Sequence, residues 1–397
     1  MIKIISVVDN EIISGGGFNQ ALNAIIQINE LKKNNFNFEV FTTKKKNIFF
    51  LNQLNIKAFY IKVSFFDKLY VWFSGGTFWY LIQRHLKICS PLEKKLIRNG
   101  CDLVYFVTPS ALALSLQKLN YIFTLWDLCH IESPEFPEVR DFNTSSIREK
   151  HYRKTLNSAF LVLTESKRLI EIASQHFGLN KNRFLARPLS PSPFLDKSHS
   201  QEKYTILKKY KLTEGYFFYP AQFWAHKNHV RILQALIRLR DLNNWSPNVV
   251  FCGQDYGNLN YIKKFIEDNN LGSQVKLLGF VPVQDMRGLY ENSSALIMPT
   301  YFGPTNIPPL EAWALGIPLI YSSHLFESVG KAALLVNPDN SEELANAMLM
   351  STNLKTRTKL ITQGYKMLSQ NKKFHEIASK DLSLAIKKFS KLRECWL

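Results

Sequence analysis

The sequence has few of the features that mark secreted, disulfide-bonded or membrane-spanning proteins. Its five cysteines are odd in number and scattered, without a CxxC pair, which fits reduced thiols better than a disulfide framework or a zinc site. The amino terminus, MIKIISVVDN, lacks the basic start, apolar stretch and cleavage site of a signal peptide. The longest aromatic and apolar stretch, 69–82, is too short for a bilayer and contains two glycines. We therefore expect a cytoplasmic protein without a transmembrane helix.

Acidic residues are scarce relative to basic ones, with 32 Asp and Glu against 50 Lys and Arg and a formal net charge of +18. Between Lys44 and Arg98 there are eleven Lys or Arg against two acidic residues, interleaved with phenylalanine and tryptophan. That composition is typical of a membrane interface and predicts peripheral contact of 44–98 with the anionic cytoplasmic face of the inner membrane. A solvated helix face with ordinary core aromatics is the alternative. No nucleic-acid-reading motif is recognisable, so nucleic acid is not an expected partner.

The order of apolar runs predicts the fold class. At 397 residues the chain exceeds what one hydrophobic core usually organises. Short β-rich runs alternate with helix-length segments, the pattern of parallel sheets with crossover helices. The predicted strands lie at 2–8, 39–43, 58–63, 102–108, 121–125, 160–164, 216–220, 248–252, 275–278, 295–299, 319–321 and 333–336.

A stretch rich in Pro and Ser, 186–201, divides these strands into two series. We therefore predict an α/β protein with two Rossmann-like, doubly wound domains that face a cleft. The amino-terminal domain is expected at 1–190 and the carboxy-terminal domain at 202–370. Residues 371–397 have an amphipathic helical pattern, and this helix is expected to pack back toward the amino-terminal domain.

A glycine-rich turn follows the first strand. The sequence SGGGF at 14–18 precedes a helical stretch, so the backbone amides of Gly16 and Gly17 could approach an anion at a helix amino terminus. A tight strand-to-helix turn without a ligand explains the glycines equally well. The spacing GxGxxG is absent, which argues against a nicotinamide dinucleotide.

Two segments of the second half follow predicted strands at the edge where open α/β sheets bind ligands. AQFWAHKNH, at 221–229, contains Lys227, which can neutralise phosphate, although most lysines are only solvated. TYFGPTNIPPLEAWALGIP, at 300–318, offers Thr305 and Asn306 to sugar hydroxyls. Glu311 is expected in the first turn of a helix, where a carboxylate is normally a cap or dipole partner.

A third polar segment, TLWDLCHIESPEFPEV at 124–139, follows a strand of the first half. His130 is the imidazole available there for a catalytic role, but a lone histidine is more often structural. Asp127 is interpreted either as its orienting partner or as a turn former.

Together with GFVP (279–282) and AALLVNPDNSEELANAM (332–348), these segments resemble the GT-B-fold retaining glycosyltransferases of the large bacterial family 4-like group 1, of the surface polysaccharide and O-antigen type. The resemblance covers essentially the whole chain. It implies transfer of a hexose-type sugar from a nucleotide-sugar donor to a glycan or lipid-diphosphate-linked acceptor. It also implies front-face displacement without a metal or other cofactor, and the chain has no DxD sequence.

The resemblance also implies roles for individual residues. Lys227 would bind the donor diphosphate, Glu311 the ribose, and Gly16 and Gly17 the phosphates from the other domain. The remaining donor-binding candidates are Gln222, Asn228, Gly253, Phe280, Val281, Thr305 and Asn306, and those of the catalytic centre are His130, Asp127, Lys227 and Glu311.

Three positions depart from the family pattern. Gly303 replaces a common glutamate, Gln222 a common arginine and Trp126 a common histidine. These departures leave two alternatives open. One is a catalytically silent GT-B scaffold that binds a partner, and the other is a sugar-nucleotide epimerase of the same fold.

Overall fold

The computed structural model describes residues 2–11, 16–31, 36–74, 88–195, 203–303 and 306–396. The chain divides into two compact units. The first unit consists of Met1–Pro134, Asp141–Leu189 and Phe374–Leu397, and the second of Glu135–Arg140 and Ser190–Lys373. The division near 190 lies close to the sequence-based boundary. The segment 135–140 differs, because it belongs to the second unit although it lies within the first half of the chain.

The first unit is built on a seven-stranded sheet with the order β3-β2-β1-β4-β5-β6-β7, and its paired strands are parallel. The strands are β1 (Ile2–Val8), β2 (Phe36–Thr42), β3 (Ala58–Tyr60), β4 (Leu103–Phe106), β5 (Asn120–Thr124), β6 (Leu161–Thr164) and β7 (Phe184–Ala186). The helices in this part of the chain are α1 (Gly16–Leu31), α2 (Lys45–Gln53), α3 (Phe65–Phe73), α4 (Pro91–Arg98), α5 (Cys129–Glu132), α6 (Pro137–Arg140), α7 (Thr144–Ser158) and α8 (Lys167–Phe177). Of these helices, α6 belongs to the second unit.

The second unit is built on a six-stranded sheet with the order β10-β9-β8-β11-β12-β13, again with parallel pairing. Its strands are β8 (Tyr216–Pro220), β9 (Val249–Cys252), β10 (Val275–Leu277), β11 (Ser293–Met298), β12 (Leu319–Ser322) and β13 (Leu334–Val336). The helices are α9 (Lys203–Tyr210), α10 (His229–Asn243), α11 (Leu259–Asp268), α12 (Val283–Glu291), α13 (Ile307–Ala314), α14 (Ser341–Thr352) and α15 (Leu354–Arg393). Short 3-10 turns lie at Ala111–Ser115, Asp141–Asn143, Lys181–Arg183, Pro193–Leu195, Ala225–Lys227 and Ser323–Ser328.

Burial on both faces explains why the central strands are almost continuously apolar. All four residues of β4 and β9, and the first four of β8, are buried. Helices cover both faces of a parallel sheet, so its strands have no solvent-facing side that would require polar residues. The aromatic side chains Phe217, Phe218 and Tyr219 of β8 lie at the centre of the second core.

The predicted fold class is confirmed, since both sheets are parallel and Rossmann-like. Each of the twelve predicted strands is present, with bounds that differ by up to three residues. The thirteenth strand, β7, was missed because it has only three residues and directly precedes the Pro-rich connection. The carboxy-terminal helix α15 begins at Leu354, well before the expected residue 371. No described helix has both the length and the apolar composition needed to span a bilayer.

Candidate functional site

The carboxyl edge of the second sheet brings several predicted residues together. The order of this sheet reverses between β8 and β11, and open α/β sheets bind ligands at such a switch point. The loops that follow the two strands are hydrogen-bonded to each other. The carbonyl of His226 accepts from the Tyr301 N–H at 2.9 Å and from Thr300 Oγ1 at 3.3 Å. The residues before α10 and those before α13 are therefore held together at this edge of the sheet.

Lys227 and Asn228 lie directly before helix α10. The carbonyl of Lys227 accepts from the Tyr219 hydroxyl at 2.9 Å. Asn228 has a φ of 57°, and its buried amide donates to the carbonyls of Pro299 at 3.1 Å and Pro338 at 2.8 Å. These bonds fix the turn that starts the helix. A lysine beside the first N–H groups of a 15-residue helix forms an arrangement suited to binding phosphate.

The contact of Glu138 with His226, next to Lys227, was missed by the sequence analysis. The Glu138 carboxylate accepts from the His226 backbone N–H at 3.0 Å and also contacts its Nδ1. Phe302 stacks on the imidazole with ring centroids 3.8 Å apart. Burial raises the pKa of Glu138, but the bonds from His226 outweigh it and the pKa lies below its usual value. Glu138 comes from α6, some ninety residues earlier, and the sequence carries no local signal of this contact.

Gln222 and Gly253 join the ends of β8 and β9. The Gln222 Oε1 accepts from the Gln254 N–H. A Cβ at Gly253 would collide with the carbonyl oxygen of Ala221, so close backbone packing explains this glycine. The Gly253 N–H donates to the Gly279 carbonyl at 2.9 Å, which ties this turn to the start of GFVP.

The two candidates for contact with the base differ in exposure. Phe280 is 46% exposed, whereas Val281 is buried in the core of the second unit. Phe280 therefore presents its ring to solvent, whereas the Val281 side chain packs in the core.

Glu311 occupies a different position from the expected one. Helix α13 begins at Ile307, so Glu311 lies in its second turn and is not a cap. The side chain is buried, and its Oε2 accepts from the Tyr290 hydroxyl at 2.7 Å. Burial raises the pKa of Glu311 to about 7, although Tyr290 and the backbone of Ser192 favour the carboxylate.

The backbone at Gly303 and the nearby Asn306 disfavour a larger residue at position 303. Gly303 has a φ of +130°, a conformation that side-chain-bearing residues rarely adopt, and an added Cβ would lie 2.9 Å from the Asn306 amide. That amide donates to the Tyr321 hydroxyl at 2.6 Å. Asn306 is therefore held by the protein itself. Thr305 lies outside the described residues.

In the first unit, helix α1 begins at Gly16. A Cβ at Gly17 would lie 2.9 Å from the ring of Trp126. The close approach of this indole explains a glycine at position 17 without a ligand. Trp126 therefore packs on the start of α1.

Asp127 and His130 each have a partner from helix α7. The Asp127 Oδ1 accepts from Arg148 Nη2 at 2.6 Å and from the Cys129 N–H at 3.0 Å. Burial would raise the pKa of Asp127, but Arg148 and Cys129 hold it below its usual value. The His130 Nε2 lies 3.4 Å from Glu149 Oε2. The carboxylate beside His130 is therefore Glu149, and the bond that Asp127 accepts from the Cys129 N–H fits the other interpretation of Asp127, a turn former.

His130 is buried, and its Nδ1 has no hydrogen-bond partner. Burial, followed by the charge of Arg148, lowers its pKa and favours the neutral imidazole. Arg148 and Glu149 were missed, because they reach Asp127 and His130 from a later helix. Within the described ranges, no group of three or more His, Cys, Asp or Glu side chains could hold a metal ion.

Comparison with known proteins gives a family match within the second unit. The model of the glycosyl transferases group 1 matches residues 202–367. O-antigen chain mannosyltransferase B of Escherichia coli is 25% identical over 218 residues, 54% of this chain and 57% of that protein. O-antigen chain mannosyltransferase RfbU of Salmonella typhimurium is 31% identical over 147 residues, 36% of this chain and 39% of that protein. The matches thus span less than two thirds of either curated relative.

A solved structure matches almost the whole chain. HepE from Anabaena, in complex with UDP-glucose, has a TM-score of 0.70 and covers 96% of this chain and 100% of its own, at 17% identity. This likeness establishes the fold, with two Rossmann-like sheets as in the GT-B glycosyltransferases. Residues 202–367 therefore match the group 1 glycosyl transferases, in a chain with the GT-B fold.

Proposed function

We propose that this chain is a retaining glycosyltransferase that moves a hexosyl group, with mannosyl as the first candidate, from a nucleotide-sugar donor to a glycan or lipid-diphosphate-linked acceptor of O-antigen-like polysaccharide. The group 1 domain and the names of the two curated relatives support this proposal. HepE, whose complex holds UDP-glucose, supports a nucleotide-sugar donor. The observation that carries the proposal is the position of Lys227 before the first turn of α10, at the switch point of the sheet.

The proposed role of this site is stabilisation of the leaving group. When the bond between the sugar and the nucleoside diphosphate breaks, negative charge develops on the diphosphate. The Lys227 ammonium and the first N–H groups of α10 would act as donors to this charge, and preorganised donors stabilise such charge effectively. In front-face displacement the departing diphosphate helps to deprotonate the acceptor hydroxyl, so no pair of catalytic carboxylates is required.

His226 is a further donor in this proposal, and Glu138 is its positioning residue. The carboxylate favours a proton on Nδ1 and fixes the plane of the imidazole, which Phe302 also holds by stacking. The ring orientation is therefore set before the donor binds. A carboxylate behind a functional imidazole commonly sets its tautomer and its basicity.

The proposed transfer does not use a metal ion, since a DxD sequence is absent from the chain. Chelation with EDTA is therefore expected to leave the rate unchanged, in contrast to an enzyme that binds its donor through a divalent cation.

Donor turnover tests the proposal. Wild-type protein is incubated with GDP-mannose, UDP-glucose, and dTDP- and CMP-sugars, and release of the nucleotide is measured with and without EDTA. We expect turnover of one donor, with a loss of about 100-fold or more in Lys227→Ala, since charge-stabilising donors typically contribute that much. Lys276→Ala, at an exposed lysine on β10, is the matched control and is expected to retain full activity.

The outcomes separate the remaining hypotheses. Donor binding without release of the nucleotide would favour the catalytically silent scaffold. Conversion of the donor sugar to its epimer without an acceptor would favour the epimerase. Equal activity of Lys227→Ala and wild type would contradict the proposed site.

We also propose that the protein acts at the cytoplasmic membrane face, through helices α2 and α3. Four aromatic side chains of α3 are exposed: Phe65, Phe66, Trp72 and Phe73. The first and third are seven residues apart, as are the second and fourth, so the four lie on one face of the helix. Trp72 is 74% exposed, which is unusual for a large aromatic side chain. Three lysines, Lys44 to Lys46, lie at the start of α2. Exposed aromatics beside lysines suit an anionic lipid surface.

A further inference from the structure

Arg187 is a buried cation in the first unit that the proposed transfer does not use. It directly follows strand β7 and is only 5% exposed. Its Nε, Nη1 and Nη2 are all buried, and none has a hydrogen-bond partner. Among the described residues, it is the only arginine or lysine in this state. The other arginines of the first unit illustrate the contrast, since Arg148 and Arg168 both pair with carboxylates.

An unpaired buried guanidinium is costly, because desolvation of an ion costs several kcal/mol unless an opposite charge or acceptors replace the water. Burial lowers the pKa of Arg187 to about 10, and only Tyr105 and the exposed Glu30 act electrostatically against it. The group therefore remains charged at neutral pH. Neither neighbour forms an ion pair with it at contact distance.

A second buried donor lies on the same face of the sheet as Arg187. The hydroxyl of Thr124, at the end of β5, is buried and makes no hydrogen bond of normal length, although it interacts with the Tyr105 side chain. In the strand register Thr124 is level with Leu185, two residues before Arg187, so the Thr124 and Arg187 side chains leave the same face of the sheet. An unpaired cation and a poorly bonded hydroxyl on one face indicate one site rather than two isolated defects.

The backbone around Arg187 is firmly held. Its N–H donates to the Thr164 carbonyl at 2.7 Å. The Gln27 amide of α1 contacts the Pro188 carbonyl at 3.2 Å and the His375 Nδ1 at 3.1 Å. These contacts fix the residues that flank the guanidinium. The strand ends that carry Arg187 and Thr124 lie at the carboxyl edge of the first sheet, where open α/β sheets admit ligands.

We propose that Arg187 and Thr124 form a binding site for a phosphate group in the first unit. An arginine side chain offers five N–H donors in a planar fork, and the threonine hydroxyl adds another. One edge of the guanidinium presents two parallel N–H donors, which occupy both oxygens of a carboxylate, whereas a tetrahedral phosphate keeps further oxygens for the threonine hydroxyl. A buried charge-assisted fork is also the geometry in which arginine binds phosphate most strongly. The inference concerns residues of the first unit and does not depend on the proposed transfer.

The inference is tested in full-length Lys227→Ala protein, so that phosphate cannot bind at the proposed donor site. Inorganic phosphate is titrated at constant ionic strength, and binding is measured by equilibrium dialysis with labelled phosphate and by thermal unfolding. We expect one phosphate per chain and an increase in Tm of about 2–4 °C at saturation. Adding Arg187→Met is expected to weaken binding at least tenfold. Adding Arg168→Met, at an exposed arginine of the same unit, is expected to leave it unchanged.

The effect of Arg187→Met on Tm is expected to reverse in sign when phosphate is added, and this reversal is a sharper readout than the affinity. Without phosphate, Arg187→Met should unfold at the same or a higher temperature, because an apolar side chain replaces an unpaired buried charge. With saturating phosphate, the protein that keeps Arg187 should be the more stable one. Arg187→Lys keeps the charge but loses the fork, and intermediate affinity is expected.

Glycerol 3-phosphate distinguishes the source of the group. Binding as tight as that of inorganic phosphate would assign the site to the phosphate of a larger molecule, and binding of inorganic phosphate alone would assign it to the free anion. Equal phosphate effects with and without Arg187 would overturn the inference. A Tm loss in Arg187→Met that is independent of phosphate would also overturn it, since it would give Arg187 a purely structural role.

Discussion

At the scale of single residues, Glu311 shows how burial can change the charge of a predicted functional group. The sequence identified this residue, but its burial and its hydrogen bond with Tyr290, which lies on a different helix, depend on the tertiary fold. A glutamate whose pKa is raised from 4.5 to about 7 binds a proton more tightly in the folded state. Its contribution to stability is therefore largest at low pH and declines as the pH rises from about 4.5 through 7.

Glu311→Gln is expected to increase the free energy of unfolding above pH 7 by about 3 kcal/mol and to leave it unchanged below pH 4.5, since each pKa unit corresponds to 1.36 kcal/mol. Glutamine still accepts from the Tyr290 hydroxyl and carries no charge to desolvate. The measurement is urea unfolding of both proteins between pH 4 and 8. Glu267→Gln on α11 is the exposed control. A difference between variant and wild type that does not vary with pH would contradict the raised pKa.

At the scale of elements, predictability depends on whether the signal is local. The strands were identified because burial on both faces makes their sequences continuously apolar, as in YFFYP of β8. Strand β7, with the sequence FLA, is too short to show such a pattern. The start of α13 could not be placed, because the two prolines at 308 and 309 fit both a loop and a first helical turn.

The candidate site was predictable only where the chain itself brings residues together. Lys227 and Asn228 adjoin one helix, so their proximity follows from the sequence. The contact between Glu138 and His226 joins residues 88 positions apart, and Glu138 belongs to a six-residue segment that lies in the second unit. Arg148 likewise reaches Asp127 from a later helix. Contacts of this kind depend on tertiary packing, which no local pattern encodes.

Glu138→Gln tests the importance of that segment. We expect kcat to fall about 10-fold or more, with a smaller change in the donor KM, because loss of the carboxylate alters the charge behind His226 but keeps an acceptor for its N–H groups. The acidic limb of the pH profile of kcat is expected to shift, which a merely structural role would not cause. The control is Glu135→Gln, at an exposed carboxylate of the same segment. An unchanged kcat and an unchanged pH profile in Glu138→Gln would contradict the proposal that Glu138 positions His226.

At the scale of the whole molecule, the distribution of the net charge of +18 is more informative about partners than its size. Exposed aromatics are not confined to 44–98, since Phe142 of the first unit is 97% exposed. What distinguishes α2 and α3 is that aromatic and basic residues occur together. Each lysine near an anionic surface contributes about 1 kcal/mol of attraction, and this attraction weakens with salt, whereas aromatic insertion does not depend on salt in this way.

Flotation with vesicles separates these two contributions. Wild-type protein is expected to float with vesicles that contain anionic lipid and to remain unbound with neutral ones. The double variant Phe66→Ser/Trp72→Ser should bind at least about fivefold more weakly at any salt concentration, because it loses buried apolar area. Phe142→Ser, which removes an exposed ring elsewhere, should bind like wild type. Lys45→Glu/Lys46→Glu should bind more weakly at low salt and approach wild type at high salt, since screening removes the charge contribution. Equal flotation of all four proteins would show that the aromatic and basic residues of 44–98 are an ordinary solvated surface.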